Sequence, residues 1–280
     1  MDGIKIYAFA DEASPNIDEQ IAALKRNGLQ GLEIRNVDGV NISDITLEKA
    51  KEVKQKLSSN GLITWSVGSP IGKIDIEKDD FKAHLEKLKR TLEIADILES
   101  KNIRMFSFYM PEGKDASDYK NVVIDRLGQM CEIAKTHNVF LCHENEKGIY
   151  GDIPERCLEL FKALPYLKGI FDPANFVQSG VNTIKAWDML KNYIYYMHIK
   201  DAKSGGAIVP AGQGDGNIKE ITRKFISLGG SAFTVEPHLI EFDGLSGLER
   251  EGEKSVISEY GYPDSNTAFD AACNAFKNFL

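Results

Sequence analysis

A chain of 280 residues that is 42% hydrophobic and 27% charged has ample apolar material for a large core, which excludes general disorder. A formal net charge of −8 argues against the broad basic surface needed to hold nucleic-acid backbones, and no apolar run reaches the length of a membrane span. Cys131, Cys142, Cys157 and Cys273 are scattered without a Cys-x-x-Cys pair, which argues against a thiolate zinc site or a disulfide framework.

Strand-like runs fall at residues 4–10, 31–36, 62–68, 103–109, 139–144, 168–172, 194–200 and 232–236, with helix-like runs between them. This alternation predicts an α/β fold, a (β/α)₈ TIM barrel in which residues 1–280 form one domain. Gly28 and Gly61 are expected to end the first two helices. Phe81, Leu85, Leu88, Leu92 and Ala95 then recur at helical spacing, as do Val123, Leu127, Met130 and Ala134, with Ser117 the expected N-cap of the latter helix. After the eighth strand, residues 239–264 make a long irregular connection before a last helix near 265–279. Such a connection is expected to be a lid or part of a subunit interface, with a solvated excursion as the alternative. The segment MDGIKIYAFADE lacks the features of a signal peptide, so the expectation is a cytoplasmic protein, with a homo-oligomer left open.

Four strand-like runs end in ligand-type residues: HENE (143–146), FDPANF (171–176), MHIKD (197–201) and TVEPH (234–238). Their spacing puts Glu144, Asp172, His198 and Glu236 at the carboxyl ends of strands five to eight, which in a closed barrel share one cavity. Three oxygen donors and one nitrogen donor, without sulfur, suit one divalent ion: Mn²⁺ or Mg²⁺ first, with Co²⁺ and Zn²⁺ open. Such an ion can hold adjacent carbonyl and hydroxyl oxygens of a sugar and ease loss of the proton between them, and Glu144 and Glu236 can serve as the proton-carrying pair. Lys200 lies on the same strand face as His198, and a lysine inside a barrel belongs at a polar mouth. Arg35, Lys73, Tyr109, Asn175 and Lys200 are therefore the expected substrate contacts, although closure of an Asx turn after Pro173 competes for Asn175. Phe9, Trp65 and Tyr109 are candidates for an apolar wall, while His143 and Asn145 should point away from Glu144. AGQGDG (211–216) reads as a rim loop rather than a phosphate cradle.

Taken in order, AFADE (8–12), GLEIRNVDGVN (31–41), GSPIGK (68–73), FYMPEGKD (108–115), HENEKGIYGD (143–152), FDPANF, HIKDA and VEPH resemble segments of the sugar phosphate isomerase/epimerase group of xylose isomerase-like barrels. The resemblance spans almost the whole chain. It implies a Glu–Asp–His–Glu metal site at Glu144, Asp172, His198 and Glu236, with the two glutamates as acid/base pair, acting on a sugar or cyclitol. Relatives in this group that are ketose 3-epimerases carry a His and an Arg where this chain has Asn175 and Ser204, and HIKDA resembles inosose-type members. The expected activity is thus isomerisation or epimerisation. The alternatives are a dehydratase or lyase using the same enolisation and a non-catalytic carbohydrate-binding barrel. Five histidines cannot furnish the three-zinc site of endonuclease IV, a further member of the superfamily.

Overall fold

Eight short strands pair in chain order and close on themselves in the computed structural model, which describes residues 3–242, 256–257 and 261–280. They are β1 (Lys5–Ala8), β2 (Gly31–Ile34), β3 (Ile63–Val67), β4 (Asn102–Met105), β5 (Phe140–Glu144), β6 (Lys168–Phe171), β7 (Ile194–Ile199) and β8 (Ala232–Val235). Every barrel ladder is parallel, and closure comes from β1, which pairs with β2 at Tyr7↔Gly31 and with β8 at Lys5↔Ala232. The fold is the expected TIM barrel. Helices α1 (Ile17–Arg26), α2 (Leu47–Ser59), α3 (Phe81–Leu98), α4 (Lys120–Thr136), α5 (Pro154–Ala163), α6 (Pro173–Gln178), α7 (Thr183–Leu190), α8 (Ile218–Ser227) and α9 (Ser265–Lys277) supply the crossovers and the outer layer. No helix among the described residues is long and apolar enough to cross a membrane.

Barrel strands have a packed interior on one face and helices on the other, so even their polar residues are buried, as in the fully buried NIRM of β4. Leu88, Leu92 and Ala95 of α3, and Val123, Leu127, Met130 and Ala134 of α4, bury the anticipated stripes. Gly28 and Gly61 follow α1 and α2 with φ of +59° and +69°, and the next amides return to Leu24 and Leu57 O at 3.0 Å, which caps each helix. Ser117 is not a cap. It sits inside a 3₁₀ turn (Ala116–Tyr119) whose N-cap is Asp115, which accepts a hydrogen bond from the Ser117 amide at 2.9 Å.

The expected strand at 103–109 stops at Met105. Beyond it, the amides of Phe106, Phe108 and Tyr109 donate to Ile71, Gly72 and Ile74 O, so the chain pairs with the rim loop after β3 instead of with the barrel. Trp65 packs in the core, the commoner fate of an aromatic, rather than forming a wall at the mouth. It stacks on Tyr7 at 4.9 Å and packs against Tyr195 and Tyr196. Tyr196 lies two residues before His198 on β7, so this aromatic layer plugs the amino-end side of the barrel, away from the mouth. Most of the 239–264 connection, residues 243–255 and 258–260, lies outside the described residues, and with it the expectation of a lid or interface.

Candidate metal centre

Alternation along β5 sends Cys142 and Glu144 into the barrel and His143 outward, where its ring meets Phe161 of α5 edge-on and its Nε2 lies 2.9 Å from Ser107 Oγ. Burial holds the His143 imidazole down at about 4, and so neutral. Asp172 and Glu236 are the first residues past β6 and β8, and His198 is the inward residue before the end of β7. One ligand atom from each of Glu144, Asp172, His198 and Glu236 lies within 4.8 Å of the others, and all four residues are buried. His198 Nδ1 faces the three carboxylates at 3.0 Å (Glu144 Oε1), 3.5 Å (Glu236 Oε2) and 3.8 Å (Asp172 Oδ2).

Burial opposes every charge here, and the neighbours decide the outcome. For His198, burial lowers the pKa but Glu144 and Glu33 reverse that and raise it to about 10. For Glu144, burial raises the pKa while His198 and Arg104 pull it down to about 2. Burial also raises that of Asp172; Lys200 opposes this, yet the carboxylates of Glu144 and Glu236 leave it at about 6. Glu236 ends well below the usual carboxylate range: burial is outweighed by Lys200, His238, His198 and Arg35.

The donor set fits a divalent cation. One Asp172 oxygen caps α6 by accepting from the Asn175 amide at 2.8 Å, while its other oxygen, Oδ2, is buried and accepts no well-formed hydrogen bond, with the Lys200 ammonium 3.1 Å away. A buried carboxylate oxygen left this way, held at a raised pKa beside two more carboxylates and an imidazole nitrogen, is what a hard or borderline ion relieves. Glu12, Glu236 and His238 form a second close group, but the Arg35 guanidinium already bonds Glu12 and Glu236 at 3.0 and 3.3 Å and supplies its positive charge.

Cations surround the four residues. Lys200 Nζ lies 2.9 Å from Glu236, Arg104 Nη1 3.3 Å from Glu144, and Arg35 reaches Asp11, Glu12 and Glu236. Rings and charges alternate across the mouth in the order Lys73, Phe106, Arg104, Phe9, Arg35, Phe242, at spacings of 4.5 to 5.1 Å. Phe9 is itself fully buried in this stack, between Arg104 and Arg35, and meets His198 edge-on at 5.3 Å. Asn175 is at the group too: its amide nitrogen donates to Glu144 Oε1 at 3.2 Å and to Asn145 O at 2.9 Å, and the turn after Pro173 is closed by Asp172 instead. Asn145 turns from Glu144 and exchanges two 3.0 Å bonds with the Asp172 backbone. Lys73 is half-buried on the rim, paired with Glu146 at 2.8 Å. Tyr109 stands beyond β4, where its backbone bridges Asp75 and Ile149.

The AGQGDG loop does cradle an anion, but the anion is internal. The amides of Gly212, Gly214 and Gly216 donate to the Asp201 carboxylate at 2.9 to 3.0 Å, and a Cβ on Gly214 would run into it. Four charged residues of the network escaped the sequence reading: Glu33, Arg104, Asp11 and Glu12. The signal for the first two was available, since a charged residue inside a barrel strand is the same sign that singled out Lys200, and Glu33 shares a strand face with Arg35.

The model of the xylose isomerase-like TIM barrel family matches residues 21–253. Among curated proteins, a 3-dehydroshikimate dehydratase of Bacillus anthracis is 21% identical over 181 residues, 64% of each chain, so the match spans under two thirds of that protein. A solved structure of the probable 3-DHS dehydratase of petrobactin synthesis in Bacillus anthracis aligns with a TM-score of 0.75 at 16% identity, over 98% of this chain and 99% of that one. A 3-keto-D-glucoside 4-epimerase of E. coli aligns at 0.70 and 15% identity (99% and 98% covered), and an IolI protein with a bound zinc atom at 0.74 and 17% (99% and 98%).

Proposed function

The chain belongs to the xylose isomerase-like TIM barrel family, and from that premise we propose that it is a divalent-metal-dependent enzyme that shifts a proton beside a carbonyl of a sugar or cyclitol. Glu144, Asp172, His198 and Glu236 would hold one ion, Mn²⁺ by first preference. Bound there, that ion would polarise the carbonyl and hydroxyl oxygens of the substrate.

The observation that carries the reading is the convergence of Glu144 and Glu236 on one point from β5 and β8, each steadied by its own arginine. Both carboxylates sit well below their usual range and are ionised at neutral pH, the form that a proton acceptor must have. Lys200 stands between Asp172 and Glu236, where its ammonium can orient a substrate oxygen. Asn175 holds Glu144 through the carboxylate oxygen that Arg104 does not bond, and Phe9, packed between Arg104 and Arg35, steadies both guanidiniums and the His198 ring. Such a constellation serves epimerisation or isomerisation when the proton returns to carbon. A binding barrel has no need of two opposed bases.

Dehydration is the second reading, favoured by the similarity to dehydratases and by two local features. Asn175 stands where ketose 3-epimerases have a His, and Ser204, in the place of their Arg, is bonded to Asp215 on an exposed hairpin. In this reading the same C–H proton is removed, and a β-hydroxyl then departs with a proton as water. The deciding experiment incubates the metal-loaded protein with ketoses, inososes and keto acids in deuterated water. Solvent deuterium in recovered substrate or epimer supports isomerase chemistry, a conjugated product absorbing in the ultraviolet supports dehydration, and neither with any candidate defeats both.

A further inference from the structure

The least expected charge in the barrel is Glu33, wholly buried on β2 and one layer below the four-residue group. Its Oε2 lies 3.1 Å from His198 Nε2. Its Oε1 accepts from Tyr196 Oη at 2.8 Å and from Ser66 Oγ at 3.3 Å, so β3 and β7 together lock the carboxylate in place. The β2–β3 register shifts between Leu32 and Glu33, the kind of irregularity that re-aims a side chain toward a site. A buried carboxylate is costly to keep, and packing alone does not require one at this position.

Resting on the metal-binding reading above, we infer that Glu33 is a positioning residue that makes His198 an Nδ1 ligand. A neutral imidazole carries one N–H and one lone pair, and the hydrogen bond made by one nitrogen decides what the other can do. Glu33 accepts a hydrogen bond from Nε2–H, so the proton an incoming ion displaces is the one on Nδ1, the nitrogen that faces Glu144, Asp172 and Glu236. The ring plane is held as well: Phe9 meets it edge-on at 5.3 Å and Tyr196 lies against it at 5.6 Å. Glu33 need not touch substrate or ion to matter. It acts through His198.

The test begins with the unaltered protein, ¹⁵N-labelled at histidine and titrated with Zn²⁺. The expected spectrum shows His198 bound through Nδ1 with a proton retained on Nε2; zinc on Nε2 overturns the inference. Glu33→Leu, similar in volume but without an acceptor, should weaken Mn²⁺ binding about 10- to 100-fold, the usual cost of losing such an outer partner. Glu33→Gln should bind closer to the unaltered protein, because its carbonyl still accepts from Nε2–H while its amide donates to the Tyr196 and Ser66 hydroxyls. Equal affinity of Glu33→Leu and the unaltered protein overturns the positioning role while leaving the metal reading intact. If the unaltered protein binds no divalent ion, the metal reading itself fails and this inference falls with it. Should Glu33→Leu fail to fold by circular dichroism, the zinc spectrum still decides.

Discussion

His198 is held at about 10, so at neutral pH an incoming ion must displace its proton. Affinity for Mn²⁺ should therefore rise about tenfold per pH unit below pH 10. Below about pH 6, Asp172 also takes up a proton and the slope should steepen toward two. Calorimetric titrations in buffers of different ionisation enthalpy check this through the protons released, and a flat profile between pH 6.5 and 9 would contradict it. Asp172→Ala and His198→Ala should each lower ion affinity by more than the roughly 100-fold typical of outer partners. Full metal occupancy in either variant after dialysis would remove that residue from the ligand set. The convergence of these four residues was legible in the sequence because they sit at strand ends, where position alone implies a shared cavity. Arg104 and Glu33 lie inside strands, and there only the cost of burying a charge gives them away.

At the scale of elements, the strands were readable from apolar runs, whereas their ends were not. The residues after Met105 remain apolar, yet they pair with the rim loop of residues 71–74, a long-range choice that local pattern does not encode. The glycine-rich loop gives a sharper case. Its composition announces a cradle but cannot say that Asp201, eleven residues upstream of the first of its three donating glycines, fills it. Gly214→Ala should strain the loop against Asp201 and destabilise the fold by about 1–3 kcal/mol, the range for overpacking. Gly205→Ala, where a Cβ meets open space, is the control. A melting temperature for Gly214→Ala equal to that of the control would show that the cradle relaxes without cost.

For the molecule as a whole, two histidines tie stability to pH. Burial depresses His143 and His84 from 6.5 to about 4, and His84 Nε2 accepts the Gly72 amide at 2.7 Å, which needs the neutral ring. A depressed histidine favours the fold fully above the unfolded value of 6.5, and that contribution is lost as pH falls through about 4. Each can withdraw up to about 3 kcal/mol across this window. Urea titrations of the metal-free protein at pH 7 and pH 4.5 should show the loss, and His143→Gln should lessen it; equal midpoints at the two pH values would refute the assignment. The barrel was legible because eight alternations leave few other topologies, while the charge network was not, since it joins residues as far apart as Arg35 and Glu236.

The ladder order also divides the work between the two halves of the chain. All four candidate ligands arrive on neighbouring strands between residues 144 and 236, and Arg104 reaches Glu144 from the adjacent β4, whereas Glu33 and Arg35 come from β2 and meet them across the ring. Gathering the candidate ligands with Arg104 and Lys200 needs only sequential pairing of β4 to β8; adding Glu33 and Arg35 needs the seam between β1 and β8 to shut. A barrel with its seam parted would still bring the four candidate ligands together but would lose the contacts from Glu33 to His198 and from Arg35 to Glu236. Ring closure would thus join the proposed ion-binding group to the carboxylate and guanidinium that face it from the opposite wall.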